Sequence, residues 1–233
     1  MKIPLSPRLR ACCDFVAKGD RVADVGTDHG YLGIWLLQQG IASFVIASDI
    51  APGPLSAARR NADKFGFSDK MAFYLSDGVC DIPRDFDTLV CAGMGADTMI
   101  SILEAAPWLR QGNYRLVLQC QSKIAMLRRY LSENGWRIRE EKLLRDGRFL
   151  YTVIEVLWQE GCVLTPGQWY LPPALLENPT PELPEYYARI LNNLKRTITG
   201  HGTHADPTLI AALSELENDP RLEWLKEDYH GNC

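Results

Sequence analysis

The chain has 233 residues, 46% of them hydrophobic and 23% charged, with a net charge of −4. This accommodates one α/β core of ordinary size with roughly 60 to 70 residues left for an appendage, and it gives no global attraction to nucleic acid, so such a partner would have to meet a local basic face. No apolar run approaches the roughly 20 residues that span a bilayer, and the N-terminus lacks a signal peptide's apolar core; the expectation is a cytoplasmic protein with no membrane partner.

Along the chain, Leu5, Leu9, Cys12, Cys13 and Val16 recur with helical period behind Ser6-Pro7, a cap followed by proline at the first helical position. A short N-terminal helix is predicted. Residues 22–26 then read as a buried strand, 30–39 as a helix, 44–48 as a strand and 54–65 as a helix closed by Gly66, a strict alternation. Strands follow at 71–75, ending at Asp77-Gly78, and at 88–92, ending at Gly93-Met94-Gly95. After a helix over 98–106 come a strand at 116–119 and a helix over 123–134 stopped by Gly135. From Trp136 the pattern becomes a hairpin, turning at Asp146-Gly147 into a strand over 149–158. Alternating units ending in an antiparallel pair predict an α/β fold, a Rossmann-like class I methyltransferase sheet doubly wound by helices.

Ligands on such sheets sit outside the carboxyl ends of the strands, and the residues there are distinctive. Asp24-Val-Gly26-Thr27-Asp28-His29-Gly30-Tyr31 follows the first strand without the three glycines of a dinucleotide fingerprint. A carboxylate beside that turn would repel pyrophosphate. S-adenosylmethionine brings an ammonium and a sulfonium but no phosphate, so the acidic turn favours it. Its methionine portion is expected against the turn at Gly26, Thr27, Asp28, His29, Gly30 and Tyr31. Asp49, with Ile50 after it, is placed to accept both ribose hydroxyls; Asp77 is placed to accept from the adenine amino group, with the Gly78 amide near a ring nitrogen. Gly93, Met94 and Gly95 would line the floor where the methyl acceptor enters. Taken alone, Asp77-Gly78 is an ordinary turn.

These residues resemble the bacterial tRNA adenine-N1 methyltransferases of the TrmK type. The likeness runs over roughly the first 160 residues: Leu5-Ser6, Asp24-Val-Gly26-Thr27-Asp28-His29-Gly30-Tyr31-Leu32, Gly53-Pro54 with Ala57 and Asn61, Gly78, Ala92-Gly93-Met94-Gly95, Leu118-Gln119, and Asp146-Gly147 with Tyr151. Departures from the family pattern fall at Gly30, Gly33, Ala96 and Gln119-Cys120-Gln121. The resemblance implies S-adenosylmethionine as cofactor, tRNA as partner, adenine 22 as target and a C-terminal helical appendage.

The chemistry of N1 suits such a site. Its in-plane lone pair needs no prior deprotonation, so positioning can supply much of the acceleration, and a carboxylate would stabilise the positive charge left on the ring. Asp28 is the catalytic candidate, unless it caps the following helix; His29 either orients a ligand or packs in the turn. Methylation of an exocyclic amine is disfavoured because Ala92-Gly93-Met94-Gly95 offers no side-chain acceptor. Pyrimidine C5 methylation is disfavoured because Cys91 lacks a neighbouring proline, and Cys91 reads as a buried strand residue. Seven cysteines, Cys12, Cys13, Cys80, Cys91, Cys120, Cys162 and Cys233, with no C-x-x-C pair, read as reduced, packed thiols.

Between residues 123 and 148 lie eight basic residues against four acidic ones. Lys123, Arg128, Arg129, Arg145 and Arg148 there, and Arg8 and Arg10 with Lys2 near the N-terminus, are the RNA-binding candidates; solvated surface charge is the equal alternative. The division expected is a methyltransferase domain over 1–160 with its N-terminal helix, and a linker and coiled-coil-like helical region over 161–233. Prolines 166, 172, 173, 179, 181 and 184 read as a linker. Tyr187, Ile190, Leu191, Leu194 and Ile198 form one apolar stripe, and Leu209, Leu213 and Leu216 a second after Gly200-His201-Gly202. Two packed antiparallel helices, the first about 27 Å long, would satisfy both; they would grip tRNA, cover the site or hold a second subunit, with a monomer favoured. His201-x-x-His204 reads as a loop, and no metal is expected. Outside RNA methylation, two readings stay open: methylation of a small molecule or protein, and a non-catalytic cofactor-bound interaction module.

Overall fold

A computed structural model describes residues 3–159 and 161–230, with side chains through Lys226; Lys2 and Cys233 lie outside the described residues. Ser6 accepts a hydrogen bond from the Leu9 amide and Pro7 opens α1 (Pro7–Cys13), as a cap followed by proline dictates. Then come β1 (Arg21–Val25), α2 (Tyr31–Gln38), β2 (Phe44–Asp49), α3 (Pro52–Phe65), β3 (Met71–Leu75), β4 (Thr88–Gly95), α4 (Ala96–Ala105), β5 (Arg115–Ser122), α5 (Ile124–Glu133), β6 (Trp136–Asp146) and β7 (Phe149–Trp158). They form one seven-stranded sheet in the order β3-β2-β1-β4-β5-β7-β6. The first five strands are parallel, and β7 runs antiparallel to both β5 and β6.

Alternating side chains bury both faces of the central strands, as a parallel sheet covered on two sides requires. Ala23 and Val25 of β1, Leu89 and Cys91 of β4, and Leu116 and Leu118 of β5 join one cluster with Met99 and Leu103 of α4 and Leu127 of α5. Val22, Val90 and Val117 point the other way, onto Cys12 of α1 and Ile34 and Leu36 of α2. As the sequence pattern indicated, residues 76–87 carry the chain from β3 to β4 without a helix. β4 continues past the expected end at Ala92, with register shifts between Ala92, Met94 and Gly95 against β5; Gly93, at φ +83°, makes the bulge possible.

The tail differs more from its sequence pattern. The segment read as a linker contains α6 (Pro166–Tyr170) and α7 (Pro173–Glu177), each with proline at its start, and Thr165 and Gln168 complete a capping box on α6. The longer helices are α8 (Leu183–His201), α9 (Pro207–Asn218) and α10 (Glu223–His230). α8, 19 residues long, spans about 28 Å. Tyr187, Ile190 and Leu194 of α8 share a core with Ala212 and Leu216 of α9, Leu225 of α10 and Leu143 of β6. The Tyr187 hydroxyl donates to the Leu216 carbonyl at 2.7 Å. His201 ends α8 and His204 lies in the one-turn 3-10 helix after it. Among the described residues no helix is long and apolar enough to cross a membrane, and no group of three or more His, Cys, Asp or Glu could hold a metal ion. Of the cysteines, Cys12, Cys13, Cys91 and Cys120 are buried, whereas Cys80 and Cys162 are exposed rather than packed, because they lie in loops.

Candidate active site

Parallel β1, β2 and β4 end side by side, which brings the acidic turn, Asp49 and the β4 bulge to one edge of the sheet. The turn is held by backbone: the Gly26 and Thr27 amides donate to the Ser48 carbonyl at 2.9 and 3.0 Å. Gly26 and Gly30 have φ of +72°, a conformation glycine adopts without steric cost. Asp24, 3% exposed, accepts a hydrogen bond from the Thr27 hydroxyl at 2.6 Å. Its burial pushes the carboxyl up to about 6; the Thr27 hydrogen bond opposes this and the nearby Asp49 adds to it.

Asp28 takes φ +51°, unusual for a residue with a side chain. Its amide donates to Asp49 Oδ2 at 3.2 Å, and Asp49 Oδ1 accepts from the Ala51 amide at 2.9 Å. Asp28 does not cap α2. The N-cap is Gly30, with no side-chain hydrogen bond, and the Asp28 carboxylate stands 69% exposed, 3.6 Å from His29 Nε2. His29 lies 5.8 Å, ring to ring, from Tyr31, and its carbonyl accepts from the Asn61 amide at 2.9 Å.

Across a cavity of about 220 Å³ lies a wall the sequence did not foretell. Gln119 of β5, 0% exposed, accepts at one oxygen from both the Gly93 amide and Arg8 Nη1 of α1, each at 3.1 Å. The only sequence signal for Gln119 was a polar residue ending an apolar strand run, and the resemblance included it without a role. Gln119 lies behind the wall; Arg8, Leu9 and Gln121 line the cavity, with Asp24, Gly26, Thr27, Asp28, His29, Tyr31 and Gly93 from the expected set. Met94 folds its methyl beneath Gly26, 2.4 Å from where a β-carbon there would sit. Asp49 is tied to the cavity wall through the Asp28 amide, and Ile50 beside it is 70% exposed. Asp77 and Gly78 lie at the end of β3 outside the cavity; Ser48 and Ser76 hydroxyls donate to the Gly78 carbonyl. Gly30 and Gly95 support the walls: a β-carbon would meet Ala58 at 3.0 Å and Ser122 at 2.9 Å respectively. Cys91, one strand position before this wall begins, is buried with its thiol pushed up to about 12 by that burial, as befits a packed residue rather than a nucleophile.

The basic candidates divide sharply. Arg128 is 0% exposed and cannot touch RNA: its guanidinium grips Glu141 at 2.5 and 3.1 Å and donates to the Trp169 and Tyr170 carbonyls at 2.9 and 2.8 Å. Lys123 pairs with Asp97 at 2.8 Å, Arg129 with Glu133 at 2.9 Å and Arg145 with Glu185. Arg148 lies over the Phe149 ring and Arg10 over Trp35. The local excess of basic residues is therefore largely internal pairing. Among the described residues Arg8 is the one lysine or arginine that lines the cavity.

The methyltransferase-domain family matches residues 5–154 of the chain, the span that carries the sheet up to β7. The chain belongs to that methyltransferase family. It is 30% identical over 154 residues to the tRNA (adenine(22)-N(1))-methyltransferase of Bacillus subtilis, a match covering 66% of this chain and 65% of that protein. The solved structure of the Bacillus subtilis N1-adenine-22 tRNA methyltransferase TrmK is 25% identical, with a TM-score of 0.78 over 97% of this chain and 99% of that one. A Streptococcus pneumoniae protein solved in complex with S-adenosyl-L-methionine is also 25% identical, with a TM-score of 0.79 over 91% of this methyltransferase and 98% of its own chain. Both structural matches extend into the helical tail.

Proposed function

We propose that this methyltransferase transfers a methyl group from S-adenosylmethionine to N1 of an adenine in tRNA, adenine 22 by its likeness to the Bacillus subtilis enzyme. The observation that carries the proposal is the juxtaposition, around one cavity, of Asp24 and Asp28 with a Gly93 wall that offers no side-chain acceptor for an amine. The residues fit the cofactor: two carboxylates and a glycine turn favour an ammonium and a sulfonium, and Asp49 holds Oδ2 toward the same turn while Oδ1 accepts from the Ala51 amide. When bound, S-adenosylmethionine supplies a methyl carbon whose bond to sulfur breaks as the N1 lone pair forms the new one; the electron pair stays on sulfur and the positive charge passes to the adenine ring.

Asp24 and the turn bind the methionine portion, Asp49 the ribose, and Asp77 with the Gly78 amide the adenine. The Gly93, Met94 and Gly95 segment forms the floor on the acceptor side. Asp28, exposed at the cavity mouth, stabilises the ring cation and takes the amino proton if it leaves. No base is needed before attack, so alignment of lone pair and methyl carries the reaction. The domain division at about residue 160, the cytoplasmic location and the monomeric state belong to this reading.

Labelled S-adenosylmethionine, bulk tRNA and nuclease mapping of the product test it. Label in 1-methyladenosine is the expected result. Label in protein or small molecules, or none despite cofactor binding, would replace the reading with one of its alternatives, and absence of any heat on titration with S-adenosylmethionine or its demethylated product would remove the cofactor as well.

A further inference from the structure

We infer that Arg8 is the phosphate grip for the nucleotide that enters the cavity, and that Gln119 is a positioning residue that aims it; this rests on the tRNA reading above. N1 lies on the Watson–Crick edge of adenine, so the target base must be unpaired or turned out of its stack to be reached. Its backbone then arrives at a cavity lined by two aspartates, which repel phosphate. Something positive must offset that repulsion, and among the described residues Arg8 is the one permanent cation in the lining.

The geometry favours phosphate over base as Arg8's partner. Methylation leaves positive charge on the ring, so a guanidinium against the ring would oppose the reaction, whereas at the phosphate it adds binding without that cost. Arg8 has donors left for this task. Nη1 is committed to Gln119 at 3.1 Å and Nε stands 3.8 Å from Asp146 of the hairpin turn. The side chain is 26% exposed, and a planar guanidinium carries five donors suited to phosphate. Gln119 holds the arrangement from beneath: the oxygen that takes Arg8 also takes the Gly93 amide, which the bulge releases from the β4–β5 ladder. One buried oxygen thus sets both the cation and the acceptor-side wall.

The test is tRNA binding to Arg8→Met, Arg8→Lys and Gln119→Met, measured by fluorescence anisotropy across a salt series, with S-adenosylmethionine affinity and melting temperature measured on the same samples. Arg8→Met should weaken tRNA binding about five- to tenfold at low salt and lower the slope of log affinity against log salt by about one, with cofactor affinity unchanged. Arg8→Lys should keep the slope and lose part of the affinity, because a point charge replaces a fork. Gln119→Met should weaken tRNA binding less than Arg8→Met, without the full change of slope. A salt slope that Arg8→Met leaves unaltered overturns the assignment of Arg8 while leaving the tRNA reading intact; wild-type protein that binds no tRNA sinks both. A melting shift with unchanged tRNA affinity in Gln119→Met would reduce Gln119 to a structural residue.

Discussion

Two polar clusters in this molecule are built oppositely. At the seam between the sheet and the tail, Arg128 and Glu141 are sealed from water, and the guanidinium finds its partners entirely within the protein. At the carboxyl ends of the strands, Asp28 and Arg8 face solvent, and Asp24 is buried with a single short hydrogen bond to Thr27. A closed network leaves nothing for a ligand and fixes structure; an open one leaves charge exposed and fits function. Substitutions in the two clusters should therefore fail in different ways.

The largest effect is expected in the closed cluster. Arg128→Ala strands the Glu141 carboxylate and frees two carbonyls of α6, and breaking such a buried pair typically costs about 3–5 kcal/mol. For a chain of this length a loss of that size lowers the melting temperature by roughly 10 °C, and thermal denaturation reads it. Replacing both partners, Arg128→Met with Glu141→Leu, should recover the part of the loss that comes from the stranded carboxylate, since matched apolar groups need no pairing, while the Trp169 and Tyr170 carbonyls stay without their donor. A single variant as stable as the parent would break the comparison at its strongest point.

At the exposed Asp28 of the open cluster stability should barely move while chemistry does. Asp28→Asn keeps the shape of the turn and removes the charge facing the developing cation; a loss of about a hundredfold in kcat, near 3 kcal/mol, is the size seen when one stabilising group is removed. Cofactor affinity should stay within a few-fold. Single-turnover kinetics and calorimetry separate the two, and undiminished turnover takes Asp28 out of the mechanism.

Asp24 sharpens the contrast because its two effects have opposite sign. Burial raises its carboxyl from 3.8 to about 6, so between about pH 4 and 6 the ligand-free folded protein holds a proton that the unfolded chain has released. The stability due to this group is full below that window and is lost as pH rises through about 6. Asp24→Asn should thus stabilise the ligand-free protein at pH 7 to 8, by on the order of 2 kcal/mol. The same substitution should weaken S-adenosylmethionine binding, and in the parent that affinity should rise with pH through about 6 as the carboxylate ionises. Melting curves with and without cofactor across pH 5 to 8 check both signs at once.

The open cluster was the legible one. Asp24, Gly26, Asp49, Asp77 and Gly93 each end an apolar run, so alternation alone aligns them at one edge of the sheet. Gln119 was not legible, because its partners Gly93 and Arg8 lie 26 and 111 positions away and a one-dimensional pattern does not pair them. The closed cluster misled for the same reason: in sequence, Arg128 is one of eight basic residues between 123 and 148, and only packing of α5 on β6 and α6 shows that it is sealed. Pro166 and Pro173 look the same whether they break a linker or open a helix, and here they open helices.

The smallest effect probes the joint between cofactor turn and acceptor wall. Gly26→Ala places a side chain at φ +72°, which costs about 1–2 kcal/mol, and its β-carbon would sit 2.4 Å from the Met94 methyl. That methyl ends a flexible side chain, so it swings aside rather than unfolding the site, and stability should fall only by the backbone term. In the proposed site Met94 belongs to the acceptor floor, so its displacement should raise KM for tRNA while kcat for bound substrate changes less. Met94→Ala removes the same floor contact directly, so it should raise KM as well, and adding Gly26→Ala to it should raise KM little further because the contested space is then empty. If the two effects on KM simply multiply, the Gly26→Ala defect lies in the strained turn itself, and the two walls of the cavity act independently.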